Sequence, residues 1–170
     1  MDTSARNIAA LVVAIVIVAS VFVFSYQDPY FPQYFEIPFE VVDPGEATYQ
    51  QNYSTRANFT ITNTSHWESL WSLLYNGWSN PPEVPDINFT TYMLIAVFQG
   101  ERGSSGYSTN ITRIMMSSTE YVVFVDEVHP GNNCVTLAVM TYPYQIVQIH
   151  PYEEDLSIRF VYNIIIHDCG

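Results

Sequence analysis

Lysine is absent from this chain, and its five arginines, Arg6, Arg56, Arg102, Arg113 and Arg159, are scattered along 170 residues. Seventeen acidic residues leave a net charge of −12. Nucleic-acid binding needs clustered cations that replace phosphate counterions. No such cluster exists here, so nucleic acid is excluded as a partner. Charge of either sign is scarce, at 13% of residues, where about a quarter is usual for a soluble protein. Ser, Thr, Asn, Gln and Tyr carry the polarity instead.

Metal and nucleotide motifs are missing too. The four histidines, His66, His129, His150 and His167, show no H-E-x-x-H spacing. The two cysteines form no C-x-x-C pair. No metal and no cofactor is expected. The seven glycines include one dense group, Gly100, Gly103 and Gly106. A phosphate cradle would need a helix start or a lysine after it, and a β-rich stretch follows. The G-x-S-x-G pattern of hydrolases is not met. Ser104 or Ser105 as a nucleophile would need a base and an acid brought from elsewhere. No catalytic residue is assigned, and the chain reads as a non-enzyme.

What is present begins with an uncharged run, Ile8–Phe24. At about 1.5 Å per residue, a helix of that length nearly crosses a hydrocarbon core of about 30 Å. Tyr26, Tyr30 and Phe31 follow at interface depth. Arg6 precedes the run, and Asp28, Glu36, Glu40 and Asp43 come after it. The positive-inside rule then gives a cytoplasmic tail over 1–7, a transmembrane signal-anchor over 8–26, and the rest outside the cell. A cleaved signal peptide is the alternative, with Val18-Ala19-Ser20 as the cleavage candidate. Either reading exports the domain, and the anchor reading expects a single-pass protein of the cell membrane with its domain outside.

Five Asn-x-Ser/Thr sequons, at Asn52, Asn58, Asn63, Asn88 and Asn110, fit an exported surface that accepts glycans. Cys134 and Cys169 are the only cysteines. An exported pair is usually joined, and such a bridge would stabilise by about 3–4 kcal/mol on the chain-entropy model. Two free buried thiols are the alternative.

Prolines 29, 32, 38 and 44 disfavour helix over 27–46. That stretch reads as a linker with an extended piece near Phe35–Val42, ahead of a β domain over 47–170. A strand is expected at Asn58–Thr62. Ser65-His66-Trp67-Glu68 reads as a capping box, with the Ser65 hydroxyl accepting from the Glu68 amide. Trp67, Leu70, Trp71 and Leu74 then recur at helical spacing, and Asn76-Gly77 ends the helix. Such a stripe is core packing rather than a ligand site. Strands are expected at Met93–Gln99, Tyr107–Met116, Tyr121–Val128, Cys134–Thr141, Gln145–Ile149 and Leu156–Ile166, rich in Val, Ile, Thr, Tyr and Phe. Their spacing predicts a mainly β fold, an antiparallel sandwich or partly open barrel with one short helix on an end or face. Asp126-Glu127 and Glu153-Glu154-Asp155 read as solvated strand caps. Tyr142-Pro143-Tyr144 reads as a turn or an exposed aromatic patch.

Several of these pieces stand in a telling order. Asp86-Ile87-Asn88-Phe89 and Met93-Leu94-Ile95-Ala96-Val97-Phe98 come first. Gly100-Glu101-Arg102-Gly103-Ser104-Ser105-Gly106-Tyr107 follows, then Cys134-Val135-Thr136 and Thr141-Tyr142-Pro143-Tyr144-Gln145-Ile146-Val147. Over Asp86–Ile149 the chain resembles the C-terminal domain of the PrcB family, named for a subunit of a bacterial surface protease complex. The Gly100–Tyr107 stretch is similar to that family's G-E-R-P-T-G-G-Y. Gly103-Ser104-Ser105 departs from P-T-G, and Cys169 lies beyond the family's core. The same loop is similar, more faintly, to the N-P-T-T-G-Y loop of chagasin-like cysteine-protease inhibitors.

The resemblance implies an exported accessory domain that contacts a protease, without catalysis of its own. The alternative class is a structural subunit of an extracellular coat or filament, self-associating through strand edges. In the first reading Gly100, Glu101, Arg102, Gly103, Ser104, Ser105, Gly106 and Tyr107 form the binding loop; a plain hairpin loop is the bland alternative. Tyr107 would be its aromatic anchor. Glu101 and Arg102 would be rim charges whose removal leaves stability within about 0.5 kcal/mol.

Overall fold

The protein is described by a computed structural model at residues 32–45, 53–150 and 155–170. The expected cytoplasmic tail over 1–7 and the expected transmembrane segment over 8–26, the sequon at Asn52 and the pair Glu153-Glu154 lie outside the described residues. Among the described residues no helix is long and apolar enough to cross a membrane.

Among the described residues, eight strands and one helix follow one another. They are β1 (Phe35–Glu36), β2 (Phe39–Asp43), β3 (Ala57–Ile61), α1 (Thr64–Leu74), β4 (Met93–Phe98), β5 (Ser108–Met116), β6 (Glu120–Pro130), β7 (Tyr144–Ile149) and β8 (Ser157–His167). They form two four-stranded sheets, β1-β5-β6-β8 and β2-β7-β4-β3. The fold is therefore mainly β, with two sheets and one short helix.

Strand β4 organises the layers. Its side chains alternate between two cores, as the period of two requires. Met93, Ile95 and Val97 face the first sheet with Ile111, Ile114, Tyr121, Val123, Val125, Val147 and Ile149. Leu94, Ala96 and Phe98 face α1 with Ile61, Trp67, Leu70, Trp71, Leu74, Tyr144 and Ile146. The helix covers a face of the second sheet, giving three layers. Trp67 and Trp71 bury their rings and still satisfy their indole N–H groups, which donate to Pro85 O at 2.9 Å and Pro82 O at 3.1 Å. The proline-rich loop after the helix thus supplies the acceptors that two buried indoles require.

Four expectations are corrected. The helix begins at Thr64, with Asn63 as its cap: the Asn63 side chain accepts from His66 N–H at 2.9 Å. Asn caps as well as Ser, so Ser65 lies inside the first turn and the capping box does not form. The folded unit takes in Gln33–Gly170, earlier than 47. The extended piece of the expected linker is two strands: β1 pairs with β5, and β2 with β7.

The third correction concerns Cys134–Thr141, which forms no strand. Its backbone bonds instead to the glycine-rich loop, Ser105 N–H to Leu137 O at 2.9 Å and Arg102 with Thr141 in both directions. No neighbouring strand runs beside it to form a ladder, so its apolar alternation is left in the open. Finally, the first sheet is mixed rather than antiparallel. β6 and β8 pair in parallel, in unbroken register from Glu120↔Ser157 to Pro130↔His167. The chain between them passes through β7 in the other sheet, and a crossover of that kind returns a strand parallel.

Candidate functional site

The glycine-rich loop joins β4 of one sheet to β5 of the other. Gly100 and Gly106 take positive φ, +86° and +92°, conformations that other residues avoid. At Gly100 a Cβ would also come within 2.9 Å of the Thr55 backbone. Gly103 has open space around it and no such need. Two of the three glycines are therefore required by the turn.

The loop is stapled to the 134–143 segment. Leu137 N–H donates to Ser105 Oγ at 2.9 Å, and Thr141 Oγ1 donates to Ser104 O at 2.9 Å. The Tyr142 hydroxyl donates to Glu101 Oε2 at 2.8 Å. That carboxylate holds the Tyr142 hydroxyl above the ordinary tyrosine range. Arg102 folds inward: Nη2 donates to Gln99 O at 3.0 Å, and its guanidinium sits 5.6 Å from the Tyr107 ring centre. Tyr107 in turn packs on His129, with ring centres 5.1 Å apart. Glu101 and Arg102 are thus loop struts rather than free rim charges. Their joint removal is expected to cost about 1–2 kcal/mol, as for lost hydrogen bonds involving charged groups at a half-exposed site.

Beside the staple lie Val135, Leu137, Val139 and Met140, all exposed. Tyr142, Pro143 and Tyr144 are buried, so the aromatic patch is not at Tyr142–Tyr144. The apolar surface at this end belongs to the segment just before it. Periodicity predicted this stretch as a strand and so hid its exposure. A cleft of about 150 Å³ is lined in part by Tyr107, Thr109, Thr141 and Tyr142.

Behind the loop stands an ion pair that sequence reasoning missed. Glu127 reads as a solvated cap, yet it is fully buried. Its carboxylate accepts two bonds from Arg56, at 2.7 and 2.6 Å. The bonding to Glu127 raises the Arg56 pKa. The same guanidinium lies 4.4 Å from the centre of the Tyr162 ring, and the Tyr162 hydroxyl donates to Asn58 Oδ1. One cation therefore ties the start of β3 to β6 and β8. The only hint in sequence was parity, since Glu127 shares the inward face of Tyr121, Val123 and Val125.

A second buried carboxylate, Asp43, accepts from Tyr75 Oη at 2.7 Å, Tyr144 Oη at 2.9 Å and Gly45 N–H at 2.9 Å. Burial, and then the Asp43 charge, push the Tyr144 hydroxyl far above its ordinary range. This node fastens β2 to the helix and to β7. Three donors meet one acceptor there, which makes it a structural clamp. The described residues contain no His, Cys, Asp and Glu grouping fit for a metal ion.

Cys134 and Cys169 are joined, and the bridge anchors the open segment to the tail beyond β8. Of the described sequons, Asn88 and Asn63 are exposed, while Asn58 and Asn110 are half-buried on strands.

Residues 93–150 match the family described as PrcB C-terminal. The match runs from β4 to β7 and contains both the glycine-rich loop and the segment stapled to it. It bears out the resemblance seen in the sequence. β1, β2, β3, α1 and β8 lie outside the matched residues. Comparisons with curated proteins and with solved structures return no match.

Proposed function

We propose that this protein is a membrane-anchored binding module at the cell surface, an accessory subunit that contacts a protease and performs no catalysis itself. The PrcB C-terminal match over residues 93–150 carries the reading. The anchor rests on the uncharged run Ile8–Phe24 and on the acid excess that follows it. The disulfide is at home in an oxidising exterior, and the sequons fit glycan attachment there, with exposed Asn88 and Asn63 the favoured acceptors.

The contact surface is the stapled end. The loop is pre-organised by six bonds to its neighbour, so a partner need not order it. Val135 and Leu137 offer apolar side chains beside it, and partners cover such side chains.

The test is capture from solubilised membranes with the full chain, followed by identification of what is held. A protease is expected with the native chain, and its recovery should fall about tenfold or more with Val135→Ser plus Leu137→Ser. Both sites are exposed, so the melting temperature should stay put. Capture that is unchanged by the double substitution, or a captured species other than a protease, would overturn the assignment.

A further inference from the structure

Sheet edges in natural proteins are protected by shortness, proline, lysine or bulges. Three of the four edges here obey that rule. β1 is two residues long and is followed by Ile37-Pro38. β2 carries a register shift between Val41 and Asp43 and then Pro44. β3 is a five-residue strand that runs through a two-residue link into α1. β8 departs from it. It is eleven residues long, unbroken in register against β6, and holds neither proline nor lysine. Its outer edge pairs with no strand among the described residues. Along that edge Ile164, Ile165 and Ile166 are 56%, 38% and 63% exposed.

We propose that β8 pairs with β8 of a second copy, antiparallel about a twofold axis at Ile165, joining two first sheets into one. Charge argues for a copy of this chain. The chain carries seventeen acidic residues, yet Ser157–His167 contains none. Its single arginine, Arg159, is held by Glu120 at 3.0 Å. Two copies that repel elsewhere therefore meet here without opposing like charges. The register is fixed by the side chains. Centring on Ile165 sets Ile164 opposite Ile166, Asn163 opposite His167, and Tyr162 opposite Asp168, each way round. Every exposed isoleucine of the strand then faces another, and no acid faces an acid. Two identical strands on a twofold axis pair only antiparallel, and such an interface is self-complementary by symmetry. The open N–H and C=O row supplies the ladder. The Cys134–Cys169 bridge ties the Val135–Leu137 stretch to the end of this strand, so the pairing is tested by a β8 cross-link between copies, which is read without reference to protease capture.

The test uses the full chain in mild detergent with Ile165→Cys, oxidised briefly and run without reductant. Opposed residues in an antiparallel pair lie about 4.5–5.5 Å apart at Cα, within disulfide reach. The expected result is a covalent dimer in high yield. Thr60→Cys, on the exposed edge of β3, should give at least about tenfold less. Adding Ile164→Lys and Ile166→Lys should lower the Ile165→Cys yield about tenfold. The unsubstituted chain gives a reading free of any folding defect: amide exchange over 161–167 should slow as concentration rises. Equal yields from the two cysteine sites, exchange independent of concentration, or linkage of Ile165→Cys to a different protein would each overturn self-pairing.

Discussion

β4 and β8 look alike as sequences, Met-Leu-Ile-Ala-Val-Phe against Asn-Ile-Ile-Ile-His, yet they meet opposite fates. All six residues of β4 are buried, because a sheet lies on one side and a helix on the other. β8 has one strand beside it among the described residues, and its second half, Asn163–His167, is exposed. The difference teaches that an apolar run is a core only where the fold supplies two covers. Where it supplies fewer, the same run becomes a surface that another chain can use.

The sharpest break of that comparison is a matched pair of truncations. Ile95→Ala in β4 removes methylene groups from a fully buried site and is expected to cost about 3–4 kcal/mol. Ile165→Ala in β8 should stay within about 0.5 kcal/mol. Denaturant melts at low protein concentration, where copies are apart, check both. Comparable losses would mean that β8 is as much core as β4.

A smaller effect is expected where β8 touches the polar interior. Arg56→Ala leaves the buried Glu127 carboxylate without its partner, a defect that costs about 3–5 kcal/mol at a fully buried site. The Arg56 side chain is 44% exposed, so water reaches the gap and about 2–3 kcal/mol is expected. Replacing both partners, by Arg56→Met with Glu127→Leu, should recover most of the loss in a denaturant melt. No recovery would assign the penalty to lost stacking on Tyr162 instead.

The smallest effect lies at the opposite end of β8. Glu120 accepts two bonds from Arg159 and one from the Tyr34 hydroxyl, and these hold its carboxyl pKa down at about 2 from an ordinary 4.5. The folded value is the depressed one, so the stabilisation is complete above the unfolded value of 4.5 and fades as pH falls through about 2. A carbon-detected titration of the Glu120 carboxyl should give a midpoint near the low value. Arg159→Gln should move it upward. A native midpoint already in the ordinary range would show that this exposed cluster does not hold β8 to β6.

Much of the fold could be read in advance for one physical reason: local patterns report local choices. Alternating β-branched residues marked β4 to β8 within a residue or two, except at Cys134–Thr141. The tryptophan stripe marked α1, although its cap lay two residues earlier than the serine suggested. The loop Gly100–Tyr107 was visible from its glycines and from its family resemblance. The roles of its charges were not, since Glu101 meets Tyr142 forty-one residues on.

By itself, then, the sequence determined the helix and most of the strands, the lack of any cation cluster, the resemblance over residues 86–149 and the expectation that two cysteines would join. All of these depend on composition or on neighbours in the chain. Only the tertiary structure decided that β8 lies parallel to β6, that Glu127 is buried against Arg56, that Cys134–Thr141 stays open, and that the outer edge of β8 pairs with no strand among the described residues. Each depends on which distant segment comes to lie alongside, and a residue's own type does not encode its partner's position.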